Sequence, residues 1–85
     1  MKITAEQLIE KLHAQFKMLN FTTIRSLEDK DADPLIVVSS NSTNHLLFSF
    51  NFDGEMIYAA SYGNVSVYTL SAIYDAISVI LEGNK

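Results

Sequence analysis

The chain has no cysteine, one proline, three glycines and six basic residues in its 85, and each shortage removes a class of function. Without cysteine there is no disulfide and no thiolate metal ligand, so the core, helped or not by a partner chain, must hold the fold. That fits a reducing cytoplasm. The glycines are spent elsewhere: Gly54 and Gly63 stand in turn sequences and Gly83 follows the last apolar helix residue, so no phosphate-cradling loop remains. The basic residues Lys2, Lys11, Lys17, Arg25, Lys30 and Lys85 are scattered among ten acidic ones, for a net charge of −4. Nucleic-acid affinity rests on Lys and Arg contacting phosphates, so direct DNA or RNA binding is not expected. No apolar run approaches the roughly 20 residues that span a membrane. The opening MKITAEQLIEKLHAQF is charged throughout, unlike a signal peptide, so a cytoplasmic, soluble protein without a membrane partner is expected. The sequons at Asn20, Asn41 and Asn64 then read as chance.

Hydrophobic residues make up 48% of the chain and charged residues 19%, against about 25% charged in ordinary domains. This is too apolar for disorder. At this length folding removes only about 60–65% of the unfolded surface. Residues 1–85 therefore read as a single small domain with little polar material to cover it, a shortage that a shared interface would relieve.

Thr4 and Gln7 form a capping box, with Ile3 and Leu8 as its hydrophobic staple. Ala5, Leu8, Ile9, Leu12, Phe16 and Leu19 follow at helical spacing, predicting a helix over 4–19. FTTIRSLE (21–28) reads as a strand. The polar loop EDKDADP follows, where Pro34 disfavours helix at Asp33, and then the β run LIVVSS (35–40). LLFSFNFDGEMIYAASYGNVSVYTL (46–70) reads as three strands joined by turns at Asp53-Gly54 and Gly63-Asn64. Two-residue turns would set Phe52 opposite Glu55, Phe50 opposite Ile57, Phe48 opposite Ala59, and Tyr62 opposite both His45 and Val65. One face then collects Leu46, Phe48, Phe50, Phe52, Ile57, Ala59, Tyr68 and Leu70 as core. The other collects His45, Leu47, Met56, Tyr58, Ala60, Tyr62, Val65 and Val67 among polar residues. A last helix over about 70–82 has a single narrow polar stripe, Ser71, Asp75, Ser78 and Glu82, so burial on most sides is expected. The fold class is α+β: an N-terminal helix, an antiparallel meander of four to five strands and a C-terminal helix in two-layer packing. Both helices on the phenylalanine face would leave the second face uncovered, whereas one helix on each face would cover both within the monomer.

The chemistry-bearing residues form no catalytic set. Asp29, Asp31 and Asp33 match the first ligand positions of an EF-hand loop, but Pro34 replaces its glycine and Ser40 its twelfth-position carboxylate, leaving a solvated acidic loop. His13 and His45 have no second ligand at metal spacing, and no nucleophile elbow accompanies them. No enzyme activity, cofactor or metal is expected. Phe48, Phe50 and Phe52 could mimic base-stacking aromatics, but beside so few basic residues they read as core.

Tyr and Met are enriched at interface centres. The candidate partner-binding residues are therefore Met56, Tyr58, Tyr62, Val65, Val67 and Leu47, with Asp29, Asp31 and Asp33 steering a basic partner. The helix–meander–helix order resembles small secretion-chaperone-like and regulatory domains and phage-encoded inhibitors, at the level of fold alone. The expected function is a non-catalytic protein-binding module, self-associating as a homodimer, that masks or tethers another protein. Two alternatives stand beside it. One is a small-ligand binder or minor enzyme with a pocket between the last helix and the sheet, using His45 or Asp75. The other is an acidic nucleic-acid mimic that inhibits a DNA-binding protein.

Overall fold

The computed structural model describes residues 2–83. Helix α1 spans Ala5–Gln15, and four strands follow: β1 Leu19–Ile24, β2 Leu35–Ser40, β3 Leu46–Phe52 and β4 Ile57–Tyr62. Helix α2, Val67–Glu82, closes the order. The strands form one antiparallel sheet in the order β1-β2-β3-β4, with helices packed on it in a two-layer α+β arrangement.

Helix α1 starts where its caps require. Thr4 Oγ1 accepts from the Gln7 amide at 3.0 Å while Gln7 Oε1 accepts from the Thr4 amide at 2.8 Å. It stops at Phe16, short of the expected end at residue 19. The reason is tertiary: Asn41 donates from its amide to the Met18 carbonyl and from Nδ2 to the Lys17 carbonyl, drawing 17–19 into the sheet. Pairing with β2 thus overrides local helix propensity. Strand β1 accordingly begins at Leu19, and it ends at Ile24 because Ser26 Oγ accepts from the Glu28 and Asp29 amides and turns the chain.

The β3–β4 register differs from the expected one. Asp53 Oδ1 accepts from both the Glu55 and Met56 amides at 2.8 Å, with Gly54 at φ 99°. The loop therefore occupies 53–56 and sets Phe52 opposite Ile57 rather than Glu55. Further along, Ala59 and Ala60 together oppose Phe50 in a β-bulge, with Ala59 at φ 54°. A second bulge leaves Leu47 between the Val38–Phe48 and Ser39–Leu46 pairs.

The expected strand over 65–70 does not form. Gly63-Asn64 is a strand-to-helix connection, held by the Gly63 amide to the Leu47 carbonyl (2.8 Å) and the Asn64 amide to the Leu46 carbonyl (3.2 Å). Ser66 Oγ then accepts from the Thr69 amide and caps α2. The β-branched run around Val65 and Val67 imitates a strand, but a serine cap and the apolar stripe behind it dominate.

Phe48, Phe50 and Phe52 are fully buried with Ile36 and Val38 beneath Leu8 and Leu12 of α1 and Ile73 and Ile77 of α2. Phe48 meets the Tyr74 ring edge-on at 5.8 Å. Both helices therefore lie on the phenylalanine face, and every buried side chain among the described residues is hydrophobic. Helix α2 is buried on one side only, contrary to expectation: Val67, Tyr68 (89% accessible) and Val79 (71%) face solvent. At the expected core positions Ala59 and Tyr68 are exposed, and Leu46 is half exposed while Leu47 packs against the core. The bulge exchanges the last two.

Candidate interaction surface

The face of the sheet turned away from the helices is set by register. Residues directly opposite each other in antiparallel strands share a face. Because Ile36, Val38, Phe50 and Phe52 point inward, Val37, Ser49, Asn51 and Tyr58 point outward. The residues opposite one another across β1 and β2 place Thr22 and Ile24 there as well. Leu46 joins them through its pairing with Ser39. The result is a polar field of Ser, Thr and Asn crossed by Ile24, Val37, Leu46 and Tyr58.

The nine sequence-derived candidates separate into two groups. Tyr58, 43% exposed, donates from its hydroxyl to Asp33 Oδ2 at 2.5 Å, so the acidic loop and the tyrosine face meet at one point. The hydrogen bond to Asp33 raises the Tyr58 pKa, with partial desolvation and the charge of Asp53 adding to it. Met56, 57% exposed, lies beside this pair in the β3–β4 loop. Asp29 and Asp31 belong to the same exposed loop as Asp33, with Asp29 Oδ1 accepting from the Asp31 amide. The bonds from Gly63 and Asn64 to the β3 backbone place Leu47, Tyr62, Val65 and Val67 at the opposite end of the molecule.

Tyr62 is also on the other face. The bulge at Ala59-Ala60 reverses the alternation, so Tyr62 pairs with Phe48, stacks on it at 6.4 Å and hydrogen-bonds Tyr74 through the two hydroxyls at 2.8 Å. Desolvation at the core edge and this bond push the Tyr74 pKa up to about 12. Tyr62 thus supports α2 instead of sharing a surface with Tyr58. Only the tertiary structure exposes the bulge, because nothing in Tyr58-Ala-Ala-Ser-Tyr62 marks which residue is extra.

His45 is exposed and does not oppose Tyr62. Asp75 is exposed on α2, and the space between that helix and the sheet is filled by Ile73, Ile77, Phe48 and Tyr74. Among the described residues no group of three His, Asp or Glu side chains is placed to hold a metal ion, and no helix is long and apolar enough to cross a membrane.

Two grooves flank α1. One of about 550 Å³ runs between α1 and β1, lined by Glu6, Ile9, Glu10, His13 and residues 20–23. The other, of about 430 Å³, lies between the C-terminal end of α1 and the first turn of α2, with Phe16, Met18, Tyr68 and Ala72 on its walls. Neither was singled out from sequence, although LNFTTI (19–24), free of charge and proline, is the signal that marks the first.

No family model matches the chain, and no curated protein or solved structure shows significant similarity to it.

Proposed function

We propose that this protein is a non-catalytic protein-binding module, able to associate with itself, that masks or tethers a protein partner through the open face of its sheet. The observation carrying this reading is the placement of both helices on the phenylalanine face, which leaves Tyr58, Met56, Ile24 and Leu46 accessible around a four-stranded platform. Asp33 and Asp53, close enough to raise the Tyr58 pKa, set two carboxylates at the Tyr58 end of the platform, with Lys2 and Arg25 beside them. They favour a partner that brings a basic rim to an apolar centre. The Tyr58 ring suits the anchor position, since it presents an apolar body and a polar tip already oriented by Asp33.

The test compares proteins retained from native cells by the wild type and by Tyr58→Ala, each verified as folded by circular dichroism. A partner held through this face is retained by the wild type and bound at least about fivefold more weakly by Tyr58→Ala, as expected for an interface anchor. Retention of the same partner with equal affinity by both removes the face from the reading.

A further inference from the structure

The two edges of the sheet are not equivalent. Strand β4 carries the Ala59-Ala60 bulge, with Ala59 in the left-handed region, and such an irregularity is a common means of blunting an edge. Strand β1 has none of these devices. Its six residues pair with β2 in unbroken register from Leu19–Ser40 to Ile24–Leu35 and include neither charge nor proline.

The direction of its backbone groups follows from three hydrogen bonds. The Asn41 amide donates to the Met18 carbonyl, the Ser40 amide to the His45 carbonyl and the Phe52 amide to the Pro34 carbonyl. Even-numbered residues of β2 therefore point to β3 and odd-numbered ones to β1, so that Asn20, Thr22 and Ile24 point to β2. Phe21 and Thr23 aim their amides and carbonyls outward, where they have no backbone partner among the described residues. The Leu19 carbonyl points the same way, its amide being used by Phe16. Helix α1 reaches this edge at one end, where Glu6 holds Arg25, and the 550 Å³ groove between them is open.

We propose that this edge receives a second copy of the chain, β1 pairing antiparallel with β1 across a two-fold axis, so that two four-stranded sheets become one. The proposal rests on the self-association in the functional reading and adds its surface and geometry. Self-complementarity argues for a second copy. A two-fold axis reverses the order of the groove-lining residues of α1, setting the Glu6 end of one copy, where Glu6 is held by Arg25, against the His13 end of the other. Ile9 and the half-buried Phe21, midway along the groove, then approach their own counterparts. Parity admits only registers that set outward residues opposite one another, and two of these centre the axis on the strand. With the axis at Phe21, the two Phe21 residues bond each other and each Thr23 amide donates to a Leu19 carbonyl. With the axis at Thr22, Phe21 and Thr23 bond reciprocally. Both arrangements are isologous, as a closed dimer requires.

The experiment measures molar mass by light scattering across protein concentration, with amide hydrogen exchange read at the two extremes, for the wild type, Thr23→Pro and Thr22→Lys. Thr23→Pro deletes an outward amide and no β1–β2 bond. Thr22→Lys keeps the ladder and sets like charges near the axis. The expected result is a wild-type mass that doubles with concentration, protection of the Phe21 and Thr23 amides only in the dimer, and self-association at least about tenfold weaker in each folded variant. If Thr23→Pro fails to fold, Thr22→Lys and the exchange data decide. A dimer that leaves both amides unprotected, or survives in the variants undiminished, overturns the edge pairing and leaves self-association standing. A monomer at every concentration overturns both.

Discussion

Gly63→Ala tests whether the strand-to-helix connection is as tight as its geometry states. A Cβ built at Gly63 falls 2.6 Å from the Leu46 carbonyl oxygen, 3.3 Å from that of Leu47 and 3.4 Å from the Leu46 carbonyl carbon. All three are backbone atoms of the β3 bulge, so no side chain can swing aside. Restoring ordinary contact at about 3.4 Å or more from 2.6 Å requires a shift of about 0.8 Å in the segment that accepts the Gly63 and Asn64 amides. Weakening two backbone hydrogen bonds at about 1 kcal/mol each, with about 1 kcal/mol of angular strain, gives a destabilisation of roughly 2–3 kcal/mol. For a domain of this size each kcal/mol lowers Tm by about 4–8 °C, so the loss is on the order of 10–20 °C. Gly83→Ala is the matched control. Its Cβ would lie 3.5 Å or more from its nearest neighbours, and Gly83 is in the right-handed helical region, so a change within about 0.5 kcal/mol is expected. Urea and thermal unfolding followed by circular dichroism read both variants. Equal stability of the two would refute the close-approach argument.

Acid should destabilise the protein through Asp53 and Glu6. Hydrogen bonds from the Glu55 and Met56 amides hold Asp53 below its ordinary 3.8, and the Arg25 guanidinium at 2.7 Å holds Glu6 below 4.5. The stabilisation they give is complete above those ordinary values and is lost as pH falls through the lower native ones. The urea midpoint of the double variant Asp53→Asn, Glu6→Gln should then vary less between neutral pH and pH of about 3 than that of the wild type, and an identical slope would refute this assignment. At the alkaline end Tyr74 is neutral in the native state up to about 12, so its contribution is full below the ordinary value of 10 and is lost between 10 and 12. Ultraviolet titration should show a tyrosinate that forms only at about 12 and disappears in Tyr74→Phe, whereas a titration curve unchanged by Tyr74→Phe above pH of about 11 would contradict the role of the Tyr62–Tyr74 hydrogen bond.

The sequence by itself determined the class, the start of α1 and the phenylalanine centre of the core. These rest on local chemistry: the Thr4–Gln7 box acts within one turn, and the alternation of Phe48, Phe50 and Phe52 needs only a strand with one dry side. It also marked 35–40 and 46–52 as strands. The tertiary structure decided the rest. Whether Asp53-Gly54 closes a two- or four-residue loop depends on amides that only the folded turn aligns. The extra residue at Ala59-Ala60 depends on fitting β4 against β3 and α2 together, and that one residue sends Tyr58 to solvent and Tyr62 to the helix. A strand's side-chain period is two, so a single insertion reverses every later assignment. That is why the sequence groups Tyr58 with Tyr62 and the structure separates them. The outward amides of Phe21 and Thr23 belong to the same category, because an edge is a property of the sheet order and no single strand encodes it.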